Sequence, residues 1–266
     1  MSPTAKRPRP LSDEDLNRLL ELTKNADSVE LKLSIPDTDI RSTVQSLGMD
    51  PLDAQLRQVF FFDTPDLRLD AAGVVVRARR VQGKGDDSVV KLRPIVPTEL
   101  PERLRRNPDM VVEVDTMPGG FVCSATLKSR PAPGGVKAAA AGDLPIRKLF
   151  SKEQKAFYAQ HAPEGLAIGD LSIMGPINLL KLKFAAEELG RRMVAELWLY
   201  PNGSRILELS TKCLPGETFQ VVAEARAWLA ARGVDVTGAQ QTKTRAALTY
   251  FSRALGERSA LEAEVS

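Results

Sequence analysis

The 266-residue chain reads as an α+β protein built on a closed, eight-stranded antiparallel β-barrel (a tunnel) with a charged interior and helices packed outside. Three observations predict this. Seven of about eight expected strands alternate bulky apolar residues with charged ones, so each of the seven has one apolar and one charged face. The charges are sorted by strand, with paired bases on some and acids dominating others, and they leave little room for the Thr, Ser and Gln of an ordinary wet face. Several helical segments are available to cover the apolar faces from outside. For any one strand, a solvated face is the ordinary explanation. Taken together, the strands fit a barrel whose bore holds the charges, and closure also removes the exposed edges.

The elements follow in order. Residues 1–11 are expected to be a disordered basic tail, with 12–256 forming one domain and 257–266 a frayed tail. Ser12 caps a helix to about residue 26, with acids in its first turn. The first strand is 28–35, VELKLSI with Ser28 in front. A short helix from Thr38 or Asp39 ends near Gly48, and QLRQVFFF begins the next strand, closed by the turn DTPDLRL. GVVVRARRVQ and DSVVKLRP form a hairpin through GKGDD. A helix over 97–106 precedes the strand MVVEVDT, and Pro118-Gly119-Gly120 breaks it before a helix running to Lys128. The stretch 131–142, PAPGGVKAAAAG, reads as a loop, and 144–162 as helical. INLLKLKFAA, RRMVAELWLY and SRILELSTK are the last three strands, the final two joined at Asn202-Gly203. Amphipathic helices over 217–233 and 240–255 finish the chain, the first closed by Gly233.

Composition narrows the function. A hydrophobic share of 43% is enough for a core, and no apolar run is long enough to span a membrane as a helix. The proline-rich start has no apolar segment behind it, which argues against a signal peptide. Two cysteines make neither a disulfide framework nor a zinc site, so a cytoplasmic protein is expected. One histidine leaves little room for a His-based triad or metal centre. A net charge of only +3 gives no reason to expect nucleic acid. There is no Gly-rich loop of the Rossmann or Walker type.

The bore itself is more specific. Its expected bases are Lys32, Arg77, Arg79, Lys91, Arg93, Lys181, Lys183 and Lys212, against the acids Glu30, Glu113, Asp115, Glu196 and Glu208. Buried like charges are costly unless paired or bound, so excess base calls for a polyanion. Carboxylates among those bases suit a hard divalent cation with oxygen ligands. The combination describes a phosphate chain held by Arg and Lys, with Mg²⁺ or Mn²⁺ joining it to the acids.

These residues resemble the CYTH superfamily, the triphosphate tunnel metalloenzymes, which include class IV adenylyl cyclases, thiamine triphosphatases and inorganic triphosphatases. VELKLSI falls where the family has an ExExK strand. QVFFFDTPDLRLDAAGVVVRARR resembles its Asp-Thr-Pro segment leading into an RxR strand, VVKLRP its next lysine strand, and VVEVD its acidic strand. RRMVAELWLYPNGSRILELSTK resembles the closing hairpin with an ExE strand. The likeness covers roughly residues 28–212, and two family carboxylates fall on Ser28 and Ser210. It implies that Arg77, Arg79, Lys91 and Arg93 hold a triphosphate, helped by Lys32, Lys181 or Lys183, and Lys212. It further implies Glu30 and Glu208 as catalytic metal ligands, helped by Glu113, Asp115 or Glu196. The implied activity is metal-dependent hydrolysis of inorganic triphosphate; the alternatives are an adenylate cyclase and a module that binds polyphosphate or nucleotide without turnover.

Overall fold

The computed structural model describes residues 11–236 and 243–265, with side chains in the last helix described to 257. The expected tail at 1–11 therefore lies almost wholly outside the described residues.

Nine strands close into one barrel: β1 (Ser28–Ile35), β2 (Gln55–Asp63), β3 (Val74–Val81), β4 (Asp87–Leu92), β5 (Met110–Met117), β6 (Gly120–Ser129), β7 (Ser172–Ala186), β8 (Arg191–Leu199) and β9 (Arg205–Cys213). Their order around the wall is β1-β5-β6-β4-β3-β2-β7-β8-β9. The expectation of eight antiparallel strands is corrected twice. The segment read as a helix before Lys128 is strand β6, paired with β4 and β5. Its Ser, Ala and Cys carry weak strand preference, and cross-strand neighbours decide the outcome. A closed ring with an odd number of strands cannot alternate direction all the way round. One pair must be parallel, and it is β1 with β5, in the register Ser28 to Glu113 and Glu30 to Asp115.

The helices are α1 (Asp13–Lys24), α2 (Ile40–Ser46), α3 (Arg68–Ala71), α4 (Glu102–Arg105), α5 (Gly135–Ala140), α6 (Lys152–Ala159), α7 (Thr218–Ala231) and α8 (Lys243–Val265). Helix α5 replaces part of the expected loop at 131–142. Helix α8 continues through Gly256, where a frayed tail was expected. The residues after that glycine are strong helix formers and offset its cost of about 1 kcal/mol. Helix α1 starts at a capping box, in which the Ser12 hydroxyl accepts from the Asp15 amide and the Asp15 carboxylate accepts from the Ser12 amide. Helix α6 is tied to the wall by buried Gln154. Its amide nitrogen donates to the carbonyls of Ser88 and Leu127, at 3.0 Å each, on β4 and β6.

Alternation sorts the strand faces as the sequence predicts. On β2, Phe60 and Phe62 join the outer core with Leu19, Leu22, Phe150 and Phe157. Val59 and Phe61, on the opposite face, join a second layer with Ile177, Leu179, Trp198 and Ile206, into which Ala247 and Leu248 of α8 pack. That layer fills one end of the bore, so α8 closes it. A third cluster joins α2 and α7 to the outer faces of β1, β7, β8 and β9.

Candidate functional site: a charged bore

Beyond the apolar layer the bore opens into a cavity of about 290 Å³. Among the described residues, ten basic side chains and four acidic ones line it, and this imbalance sets its chemistry. Asp115, fully buried, sits in the wall behind them. The structure brings together Glu30, Lys32, Arg77, Arg79, Lys91, Arg93, Glu113, Lys181, Glu196, Glu208 and Lys212, as the sequence predicts. Lys183 is the exception: it shares the face of Lys181 but lies two residues further from the apolar end, and it is exposed. Alternation gave its face correctly but could not say where the cavity stops.

Sequence reasoning left three bases out of the binding set. Arg57 is the lone charge of its strand end, but it has the parity of Val59 and Phe61 and so points inward. Lys128 lies in the segment misread as a helix; the alternation of Ser124, Thr126 and Lys128 was the available signal. Lys243 reaches into the cavity from α8, an element far along the chain from the other lining bases.

The local turn that launches β3 explains how two arginines enter the bore together. Buried Asp63 spends its carboxylate on backbone amides, accepting from Thr64 at 2.7 Å, Leu69 at 2.9 Å and Asp70 at 3.0 Å. This fixes α3 and hence the register in which Arg77 and Arg79 face inward.

The two sides of the bore differ electrostatically. On β2, β3 and β4 the cations are poorly neutralised. Arg57 rests on the amide oxygen of Gln55 at 2.7 Å. Arg77 has a buried Nε with no hydrogen-bond partner among the described residues. Burial, then repulsion from Arg79, lowers its pKa to about 10. Burial likewise drives Lys91 down to about 7, because Lys32, Arg93 and Arg77 crowd it and the carboxylate of Asp115 is 3.9 Å away. Arg79 is satisfied at the rim by a bidentate pair with Asp87, at 2.7 and 2.9 Å.

On β1, β5, β8 and β9 each carboxylate has a cation. Asp115 takes Lys32 at 2.8 Å and Arg93 at 3.3 Å. Glu30 lies 3.4 Å from Lys32, and Glu113 pairs with Lys212. Glu196 takes Lys181 at 2.7 Å and Lys243 at 2.5 Å, and Glu208 takes Lys243 at 2.5 Å. Burial alone would raise the carboxyl pKa values. Lys32 and Lys212 outweigh it at Glu30, and Lys243 and Lys181 at Glu196, so both stay below the usual range.

A divalent metal is the group this constellation was expected to hold, and the donor set does not fit one as arranged. Among the described residues no three Asp, Glu, His or Cys side chains gather closely enough to cage an ion. The Glu196–Glu208 pair is filled by Lys243, and Asp115 is enclosed by Lys32 and Arg93. Ser28 and Ser210 bring hydroxyls where the resembled family has carboxylates; Ser28 donates to Glu113 at 3.3 Å.

Other candidates carry no chemistry here. His161 is an exposed residue lying edge-on to Phe157, and Cys123 and Cys213 are buried free thiols. Among the described residues, no helix is long and apolar enough to cross a membrane.

No protein-family model and no curated protein matches the chain. Solved structures do. A candidate adenylate cyclase from Bacillus halodurans superposes with a TM-score of 0.55 at 13% identity, over 82% of this chain and 96% of that one. A candidate adenylyl cyclase from Hippeastrum, described as having a dominant triphosphatase activity, superposes with a TM-score of 0.60 at 15% identity, over 81% and 92%. Identities this low speak to fold alone: the chain shares its closed-barrel fold with these two proteins, in agreement with the fold that the sequence resemblance implies.

Proposed function

We propose that the bore binds a triphosphate chain, whether inorganic triphosphate, the end of a longer polyphosphate or the triphosphate of a nucleotide. The observation that carries this reading is Arg77, a guanidinium deep in the bore whose Nε meets no acceptor among the described residues and whose neighbours Arg57, Arg79 and Lys91 repel it. A buried donor without a partner costs about 1–3 kcal/mol, more when charged. A linear polyanion supplies acceptors along the row Arg57, Arg77, Lys91 and Arg93, and planar guanidinium forks suit phosphate oxygens. The triphosphatase activity of the Hippeastrum neighbour supports this chemistry by analogy of fold.

A second reading is turnover: hydrolysis of the terminal anhydride of inorganic triphosphate with Mg²⁺ or Mn²⁺. It is favoured by Glu30 and Glu208 opening onto the same cavity as Arg77. Lys32 and Lys243 would have to release Glu30 and Glu208 before either carboxylate could serve as a metal holder. Adenylate cyclisation is the less supported form. Trp198, an aromatic side chain facing the cavity, stacks on Phe61 and lies under the Lys243 ammonium rather than free for a base.

The test is a melting curve with tripolyphosphate, with ATP and with orthophosphate, alongside phosphate release in Mg²⁺, Mn²⁺ and EDTA. Ligand at 100 times its Kd stabilises by about 2.7 kcal/mol. A shift with tripolyphosphate that Arg77→Ala removes supports binding, and phosphate release supports turnover. No shift with any of the three compounds overturns both readings.

A further inference from the structure

Glu196 and Glu208 stand directly opposite each other on β8 and β9, both facing inward. Two carboxylates so placed repel, and burial adds to the cost of keeping both ionised. This is the kind of place where a divalent cation would be expected. In this chain the space is filled from within. The Lys243 ammonium bridges the two carboxylates at 2.5 Å each and sits 5.1 Å from the Trp198 ring centroid. Lys181, at 2.7 Å from Glu196, completes the group, so two lysines balance two glutamates with no further charge needed.

The position of Lys243 on its own helix is informative. It opens the described part of α8. Ala247 and Leu248, about one turn further on, are buried in the apolar layer that closes the bore. They anchor the helix that delivers the ammonium.

We propose that Lys243 is a tethered counter-cation that holds the Glu196–Glu208 pair against a divalent metal, so that the bore takes its polyanion without one. The second half of this statement rests on the binding reading above, and the first half does not.

The experiment is a titration of the full chain with Mn²⁺ alone, following free Mn²⁺ by electron paramagnetic resonance. Wild type is expected to show no site that depends on Glu208. Lys243→Met is expected to bind one Mn²⁺ at least about tenfold more tightly than wild type, equivalent to 1.4 kcal/mol. The added change Glu208→Gln should remove that binding. One Mn²⁺ bound by wild type and lost in Glu208→Gln overturns the proposal. So does a folded Lys243→Met, checked by circular dichroism, that binds no more tightly than wild type. If Lys243→Met does not fold, Lys243→Gln, which keeps a donor, takes its place, and the wild-type titration decides on its own. In a separate arm, the melting shift from tripolyphosphate is compared in EDTA and in Mg²⁺. An equal shift in both supports the second half, and a shift confined to Mg²⁺ overturns it. Absence of any shift removes the binding reading while leaving the Mn²⁺ result standing.

Discussion

The two sides of the bore use the same residue types to opposite effect. On β1, β5, β8 and β9 each inward carboxylate meets a lysine or arginine, and the pairs hold the carboxyl groups of Glu30 and Glu196 below their ordinary pKa values. On β2, β3 and β4, Arg57, Arg77 and Lys91 crowd one another, and all three are lowered by burial and like charge. One side is self-neutralised and the other is not. The bases outnumber the acids wherever they stand. Sorting them by strand gathers that surplus on one side, where only something from outside can neutralise it.

The largest loss of stability is expected on the paired side. Asp115→Ala removes a fully buried carboxylate and strands Lys32 and Arg93. Loss of one partner of a buried pair costs about 3–5 kcal/mol, to be read from urea unfolding, and tripolyphosphate should recover part of it. The same kind of change on the other side should act in reverse. Arg77→Ala removes a repelled charge, so the free protein should unfold at the same urea concentration or higher. Its affinity for tripolyphosphate, measured by calorimetry, should fall about 10- to 100-fold, the loss of a charge-assisted hydrogen bond of about 1.5–3 kcal/mol.

A pH series sharpens the contrast. Lys91 has a pKa of about 7 when folded, against an ordinary 10.5. Between those values the unfolded chain binds the extra proton, so the contribution of Lys91 to stability rises with pH from about 7 to about 10.5 and is flat below. Denaturation midpoints across that range should climb in wild type more than in Lys91→Met. Polyanion affinity should move the other way, weakening as pH rises through the same window. The smallest effects belong at the rim. Lys212 is about half exposed, so Lys212→Ala should cost no more than about 1 kcal/mol. Lys183→Ala should leave binding within twofold by calorimetry, since its side chain lies outside the cavity.

How much of this was legible follows from which signals are local. Strand parity is local, so Glu30, Lys32, Arg77, Arg79, Lys91 and Arg93 could be placed on one face from the sequence alone. The strand β6 was not legible. Its small polar residues suit either state, and pairing with β4 and β5 decides between them. The bases Arg57 and Lys128 were left out for related reasons, one standing alone on its strand end and the other sitting in the misread segment.

By itself, the sequence determined an α+β barrel with a charged lumen, because alternation fixes which side chains share a face. It also determined the surplus of base, because charge type is written in the residues. Tertiary structure decided three things. The odd strand count requires the parallel β1–β5 pair, which sets Glu30 beside Asp115. The α8 plug turns a tunnel into a bore closed at one end. The meeting of Lys243 with Glu196 and Glu208 brings together residues 47 and 35 positions apart. Their separation along the chain carries no trace of the contact, which exists only because the closed barrel and its terminal helix bring those atoms to one point.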